Sequence, residues 1–374
     1  MPTTAFSSRF KRELDPEQLL MLMGADPIAA ISPEHREFIS NDVVCSSCGV
    51  TGAQIVSQTK SRATAKAIRQ PHFRFRSPIG QDAHNKFCEF NEEATRSSEL
   101  FLINFADERS AETRFIRSLV CKGIENGIFD QQSIREMRQW FFELKCKTRI
   151  RMTTKTAAIN WMEGLVRHIG YREPFQPGKA EKLNFNWKQA ARFSFAEDHS
   201  QLLEFLRQKR VASRFPISSF TRAKALSKTH FEQDVLDTSI LRPYYTKAVD
   251  LAAFVAIGPD SPIKKACSAG YYKSGAPTYL LALCALLLFV SKWELDDAKE
   301  LVTKLFLAPM ASDQTLGNVM GLNPFHDYGA WEVLAIASEL AALSPANPDL
   351  DKILEETEAR LREEHRLWRE ATNE

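Results

Sequence analysis

The residues with the clearest chemistry in this sequence are three cysteines and two histidines. Cys45 and Cys48 are separated by two residues, His84 and Cys88 by three, and His72 lies between the two pairs. Thiolate sulfur and imidazole nitrogen are the ligands of structural Zn²⁺ sites, which use four at a time. Because Zn²⁺ favours thiolate, we expect all three cysteines to bind.

The fourth ligand is either His72 or His84. His84 and Cys88 have familiar zinc-knuckle spacing, but His72 lies in a short strand whose end would present it to the metal. We therefore favour His72 in the set Cys45, Cys48, His72 and Cys88, with His84 as the alternative ligand or as a hydrogen-bond donor behind a ligand.

The same residues favour a structural over a catalytic role for the metal. A catalytic zinc site keeps one coordination position open beside a general acid or base. Glu89 and Glu92 are the acids that follow closely after the second ligand pair. Zinc deaminases have His-x-Glu followed by Pro-Cys-x2-Cys, and this sequence lacks that combination. We expect the zinc to stabilise a fold.

Short strands flank these ligands. Val43-Val44, the segment from Ala53, and His72–Phe75 have strand character, and Gly49 after the second cysteine permits the left-handed backbone of a tight turn. This pattern predicts a small zinc ribbon or zinc knuckle near the amino terminus.

The predicted module is also basic. Between Val43 and Gln81 the sequence contains six bases and no acid. The six bases are Lys60, Arg62, Lys66, Arg69, Arg74 and Arg76. A cationic surface of this kind suits contact with the phosphates of DNA or RNA.

Residues 40–92 resemble the amino-terminal zinc-binding module of competence protein CoiA-like and related bacterial proteins. The resemblance lies in Cys45-x2-Cys48-Gly49, the spacer, and Pro71-His72-Phe-Arg followed by His and Cys. In that family the strand commonly reads His-Phe-x-His, and the module precedes a nuclease-like domain. Here Phe75 stands where the second His is often found, which implies Cys88 as the remaining ligand. The resemblance implies a nucleic-acid context without a particular activity.

Beyond residue 95 the apolar spacing is mostly helical. Helices are indicated from Asp107 to Asn126, from Ser133, over 157–169, 200–209 and roughly 231–241, and again after residue 278. Residues 171–188 and 258–277 have the Pro and Gly content of linkers. The predicted fold is mainly α, with the zinc module (1–95), a basic helical domain (96–257) and an acidic helical region (278–374).

Charge is distributed unevenly along the chain. Residues 293–374 contain 17 acids and 7 bases, whereas the first 292 contain 42 bases and 30 acids. The charged helix at the carboxyl end is therefore a candidate surface for a protein partner, as in a scaffold subunit of a multi-protein system. Two further basic segments are acid-free, between Glu143 and Glu163 and between Glu204 and Glu232. The second contains Lys209, Arg210 and Arg214 with interleaved phenylalanines, a pattern typical of nucleic-acid contact.

A metal-dependent nuclease is a further alternative. Restriction-type nucleases hold Mg²⁺ with an Asp and a Glu-x-Lys on adjacent strands, and Asp130, Glu143 and Lys145 have usable spacing. The intervening residues, however, are patterned as a helix, which is the wrong scaffold for that geometry.

The remaining cysteines are scattered and predict no disulfide framework. The first residues contain Lys and Arg but lack the apolar stretch of a signal peptide, so we expect a cytoplasmic protein. The most apolar run, Tyr279–Val290, is 12 residues long. A membrane-spanning helix needs roughly 20 apolar residues, so we expect a buried helix and no membrane partner.

Overall fold

A computed structural model describes residues 2–26, 30–57, 59–60, 67–69, 71–92, 102–103, 110–168, 174–257, 276–313, 316, 321–343 and 349–372. For residues 59–60 and 67–69 it describes the backbone. The architecture is mainly α, as the sequence predicted, with several small antiparallel sheets.

Short elements make up the amino-terminal part of the chain. They are β1 (Ala5–Ser7), β2 (Arg12–Leu14), α1 (Pro16–Leu22), α2 (Pro33–Asp42), β3 (Val43–Val44), β4 (Ala53–Val56), β5 (Thr59–Lys60), β6 (Ala67–Arg69), β7 (His72–Phe75) and β8 (Leu102–Ile103). The strand order β2-β1-β3 forms one sheet, and β4 pairs with β7 and β5 with β6. Both of the last two pairs are antiparallel, and their described residues (53–57, 59–60, 67–69 and 71–75) are called the ribbon below.

Helices follow, with few strands between them. They are α3 (Ala111–Glu125), α4 (Gln131–Lys147), β9 (Arg149–Arg151), α5 (Thr156–Val166), a 3-10 helix (Pro177–Glu181), α6 (Trp187–Asp198), α7 (Ser200–Gln208), α8 (Val211–Arg214), α9 (Ile217–His230), β10 (Asp234–Leu236), a second 3-10 helix (Thr238–Leu241), α10 (Arg242–Ile257), α11 (Thr278–Val290), α12 (Leu295–Leu307), β11 (Gly321–Leu322), α13 (Tyr328–Leu343) and α14 (Leu350–Thr372).

The described chain divides into two compact units. Unit 1 comprises residues 1–149 and 239–326, and unit 2 comprises residues 150–238 and 327–374. The three predicted segments do not correspond to these units. Residues 1–95 belong to the same unit as α3 and α4, and each unit is built from two separate stretches of chain. Tertiary packing, which joins distant segments, decides this division.

The centre of unit 1 is α11, which packs against α3, α4, α10 and α12. Residues Leu280–Leu288 of α11 are all buried, so this helix is apolar on every side. Of the helices described, none is by itself long and apolar enough to cross a membrane. The bent pair formed by α11 and α12 passes a test of length and composition alone.

Unit 2 has a helical core of its own. Helix α13 packs between α5 and α9, and residues such as Ile159, Leu226 and Val333 are buried there. Helix α14 packs along α6 and beside the first 3-10 helix. The predicted helix over 231–241 is wrong: that stretch contains β10 and a 3-10 turn, with Glu232 in a left-handed conformation (φ 60°).

Candidate metal centre

Unit 1 brings Cys45, Cys48, His84 and Cys88 together at one point. Their ligand atoms all lie within 4.8 Å of one another, and among the described residues this is the group that could hold a metal ion. The Sγ atoms of Cys45 and Cys88 are 3.8 Å apart. His84 Nδ1 lies 3.5 Å from Cys48 Sγ and 3.6 Å from Cys88 Sγ.

These distances suit a tetrahedral ion. With Zn–S bonds of about 2.3 Å and Zn–N bonds of about 2.0–2.1 Å, a tetrahedron has S–S edges of roughly 3.8 Å and S–N edges of roughly 3.6 Å. The three separations given above match these values, and all ligand atoms lie within 4.8 Å of one another, so the residues present fit a Cys₃His zinc site. Four protein ligands would complete the coordination, which is typical of structural zinc.

The first ligand pair follows directly from β3, which pairs with β1. The backbone turns tightly after Cys45: Gly49 N–H donates to Cys45 O at 3.0 Å, and Cys45 N–H donates to Val50 O at 2.9 Å. Gly49 adopts φ 71°, which is accessible to glycine at little cost. This turn points both sulfurs to the same side, as the Cys-x2-Cys-Gly pattern predicted.

The second ligand pair lies in a loop ordered by polar side chains. Asp82 accepts hydrogen bonds from the backbone N–H groups of His84 (3.0 Å) and Glu92 (2.6 Å). The Asn91 amide donates to His84 O at 3.1 Å. The Phe75 ring meets the His84 ring edge-on, 5.0 Å between centroids. These contacts fix the imidazole with Nδ1 towards the thiols.

The thiols differ in their ionisation. Burial raises the pKa of Cys45, and hydrogen bonding with Cys45 and Cys48 raises the pKa of Cys88. The pKa of Cys48 is lowered because the thiols of Cys45 and Cys88 donate hydrogen bonds to its sulfur. A divalent ion would displace thiol protons on binding, since thiolate is the ligating form.

The choice of His72 as fourth ligand is corrected by this arrangement, which uses the alternative, His84. Successive residues of a strand point to opposite faces. Phe75, on β7, packs against His84, so the Phe73 and Phe75 side chains share the face nearest the cluster. His72 lies on the other face, buried, and opposite Val56 in the ribbon. Strand parity therefore excludes it from the thiol cluster.

A buried ion pair connects the ligand loop to α4. Glu89, adjacent to Cys88, accepts a hydrogen bond from Lys145 Nζ at 2.5 Å, and their side chains are 0% and 10% exposed. A second buried pair joins Arg138 of α4 to Glu13 of β2 at 2.5 Å. The amino-terminal elements are thus attached to one helix at two points.

The residues of the predicted nuclease site do not converge. Asp130 caps α4 by accepting from Ser133 N–H at 2.7 Å, and Glu143 pairs with Lys147 on the exposed surface. Lys145 is engaged by Glu89. All three lie on or at the start of one helix, where a rise of 1.5 Å per residue places Asp130 about 20 Å from Glu143. The predicted Mg²⁺ geometry on adjacent strands is therefore wrong.

The basic segment of unit 2 is largely neutralised by distant acids. Lys209 pairs with Glu339 and Arg214 with Glu332, each at 2.6 Å. Arg222 and Lys224 pair likewise with Asp327 and Glu163. Arg210 is exposed and begins α8 in a left-handed conformation (φ 54°). A run that is acid-free in sequence is therefore not a run of uncompensated charge in three dimensions.

The basic residues of the ribbon have a different environment. Arg76 pairs with Glu92 at 2.8 Å, and Arg74 lies half-buried on β7 opposite Gln54. Lys60 and Arg69 lie on β5 and β6. Arg62 and Lys66 fall outside the described residues. The ribbon begins at Ala53, five positions after Cys48, so its base is continuous with the ligand turn.

The acidic carboxyl-terminal helix is partly occupied within unit 2. Arg360 of α14 binds Asp198 at 2.7 Å, and Arg362 lies 4.7 Å from the centre of the Trp187 ring. Glu363 and Glu370 both pair with Arg366 on the same helix. One face of α14 therefore packs on α6, and several of its acids are paired internally. A protein partner for this helix stays a prediction.

Sequence reasoning missed the roles of Asp82, Phe75 and Glu89. In the sequence, the only feature that marks these residues is that they lie close to the ligands. Closeness in sequence does not distinguish a side chain that supports the site from one that is exposed to solvent. Comparisons with protein-family models, with curated proteins and with solved structures find no match to this chain. The resemblance to the CoiA-like module therefore stays a prediction.

Proposed function

We propose that this protein holds a structural Zn²⁺ ion with Cys45, Cys48, His84 and Cys88, and that the ion fixes a basic β-ribbon that contacts nucleic acid. The observation that carries the proposal is the match between the sulfur and nitrogen separations and the edges of a zinc tetrahedron. The function proposed is binding, without chemistry at the metal, because four protein ligands fill its coordination.

The donor set supports zinc over other ions. Three soft thiolates and one imidazole suit Zn²⁺, whereas Mg²⁺ and Ca²⁺ take oxygen ligands. Cys45 and Cys88 are fully buried, which favours a permanent structural ion. The proposal implies a reducing compartment such as the cytoplasm, because oxidised sulfur would not bind the ion.

The ribbon supports the nucleic-acid part of the proposal. Its sequence is acid-free over residues 43–81 and contains six bases. An antiparallel two-stranded ribbon is one of the elements that enter a nucleic-acid groove. The zinc ligands lie before β4 and after β7, so metal binding would hold both ends of the ribbon in place. DNA and RNA are equally compatible with this argument.

Metal content tests the first part of the proposal. We expect His84→Ala to lower bound zinc well below one ion per chain, while His72→Ala retains it, because only His84 faces the thiols. Cys48→Ser should lose zinc, and Cys146→Ser, on α4 outside the cluster, should keep it. Elemental analysis of the purified variants measures this. Retention of stoichiometric zinc by His84→Ala would exclude the ligand set.

Salt-dependent binding tests the second part. Fluorescence anisotropy with labelled DNA and RNA measures the affinity at several salt concentrations. The logarithm of the affinity should fall linearly with the logarithm of the salt concentration, with a slope of about 0.7–0.9 per phosphate contact. Lys60→Ala with Arg69→Ala should reduce that slope by about 1.5. Lys209→Ala with Arg214→Ala removes the same charge from residues already paired with acids, and should leave the slope nearly unchanged. Equal effects of the two double variants would contradict the ribbon as the contact surface.

A further inference from the structure

Two of the metal ligands, His84 and Cys88, lie in a segment whose ends are joined by one carboxylate. Asp82 Oδ1 accepts a hydrogen bond from His84 N–H at 3.0 Å, and Asp82 Oδ2 accepts one from Glu92 N–H at 2.6 Å. Residues 84–92, called the ligand segment below, are therefore closed into a loop by a single side chain. Closing a loop removes conformational freedom that its residues would otherwise lose when a metal binds.

Further hydrogen bonds hold the interior of the ligand segment. Asn91 is buried, and its side-chain amide donates to His84 O at 3.1 Å. Cys88 N–H donates to Asn85 O at 2.9 Å, and Asn91 N–H donates to Cys88 O at 3.2 Å. His84 and Cys88 are thus each held through both their N–H and their C=O groups. All of these partners are protein groups, so the contacts do not require an ion.

Asp82 is itself anchored at the end of the ribbon. Arg76 and Asp82 form an isolated antiparallel bridge, and Ala83 N–H donates to Phe75 O at 3.2 Å. The Arg76 guanidinium also donates to Glu92 Oε1 at 2.8 Å. Glu92 is therefore held through its backbone by Asp82 and through its side chain by Arg76. The ligand segment is attached at both of its ends to the same short piece of chain.

We propose that Asp82 is a positioning residue for the metal centre, which preforms the half of the site that carries His84 and Cys88. This role rests on the proposed function, in which Cys45, Cys48, His84 and Cys88 bind Zn²⁺. Groups that orient metal ligands from behind typically change metal affinity by roughly 10–100-fold. Asp82 contacts the backbone of His84 and not its imidazole. Its loss should therefore weaken metal binding without changing which side chains bind.

Zinc affinity of the full-length protein tests this role. Asp82→Asn keeps the size of the side chain but replaces one acceptor oxygen by an amide nitrogen, so one of the two backbone N–H groups loses its acceptor. Competition with a chromophoric chelator should show an affinity for zinc that is weaker by roughly 10–100-fold. Asn91→Ala removes the amide that donates to His84 O and should also weaken binding, but by less, because the Asp82 contacts remain.

Cobalt substitution separates this role from the identity of the ligands. The absorption spectrum of Co²⁺ depends on which side chains bind it, and Asp82→Asn saturated with Co²⁺ should give the wild-type spectrum. His84→Ala should give a different one. An unchanged spectrum in His84→Ala would contradict the proposed function. With that spectrum changed as expected, a zinc affinity of Asp82→Asn within twofold of the wild type would overturn the positioning role alone.

Asp130→Asn is the matched control. Asp130 lies in the same unit and also accepts from a backbone N–H, that of Ser133 at 2.7 Å, but it caps α4 and does not belong to the ligand segment. This variant should lower the melting temperature and change the zinc affinity less than twofold. Equal weakening of zinc binding by Asp82→Asn and Asp130→Asn would show that both act through general stability, and would overturn the positioning role.

Hydrogen exchange of the metal-free protein tests whether the ligand segment forms before the ion binds. Zinc is removed by chelation under reducing conditions, and mass spectrometry follows exchange in peptides that span residues 82–92. The segment should be protected in the wild type and exchange faster in Asp82→Asn, because hydrogen-bonded amides exchange only when the segment opens. Equally rapid exchange in both proteins would overturn the proposal that Asp82 preforms this half of the site.

Discussion

Replacing Lys145 by Met should destabilise unit 1 far more than its position on a helix surface would suggest. Lys145 Nζ lies 2.5 Å from Glu89 Oε1, and the Glu89 side chain is 0% exposed. Removing the ammonium leaves a buried carboxylate without its main counter-charge, which costs about 3–5 kcal/mol. At about 2–4 °C per kcal/mol for a domain of this size, the melting temperature should fall by roughly 6–20 °C.

The same helix provides the control. Lys147 pairs with Glu143, but these side chains are 72% and 62% exposed. Lys147→Met should therefore cost less than about 1 kcal/mol. Adding Glu89→Gln to Lys145→Met removes both buried charges and should recover part of the lost stability. Thermal unfolding of the zinc-loaded proteins, followed by circular dichroism, measures all three. Equal melting temperatures for Lys145→Met and Lys147→Met would refute the argument that burial determines the effect.

Three further outcomes are expected. Arg138→Met removes the buried partner of Glu13 and should cost about 3–5 kcal/mol in urea unfolding. Gly123→Ala should destabilise unit 1 by roughly 1–3 kcal/mol, because a Cβ there would lie 2.3 Å from the Phe129 ring; the same urea experiment measures it. Burial lowers the pKa of His168, whose imidazole lies 2.8 Å from Gly164 O. Its contribution to stability is present above the unfolded-state pKa of about 6.5 and is lost as the pH falls below it. His168→Gln should therefore reduce the loss of stability between pH 7 and pH 5.

At the metal centre, residue spacing predicts some of the ligands but not all of them. Cys45, Cys48 and Cys88 could be identified from spacing because a two-residue gap after a strand forces a tight turn that presents both sulfurs together. The choice between His72 and His84 could not be made from spacing. It depends on which face of β7 packs against the ligand loop, and strand parity becomes informative only once that packing is known.

The charged residues also show that the sequence predicts one part of the arrangement and the folded chain decides the other. The acid-free stretch around Lys209 and Arg214 looked like a phosphate-binding surface, but Glu339 and Glu332 approach it from α13, more than a hundred residues away in sequence. Pro216, in the same stretch, lies at the start of α9, a position where proline costs no helical hydrogen bond.

The sequence by itself determined that the body is helical, that α11 is buried, and that three thiols lie in one short module. These properties depend on hydrophobic period, composition and residue spacing, all of which act over a few neighbouring positions. Only the tertiary structure decided that His84 completes the cluster and that Glu89 and Lys145 form a buried pair. Each of these depends on contacts between segments that no local pattern relates, because burial and charge pairing are properties of the folded chain.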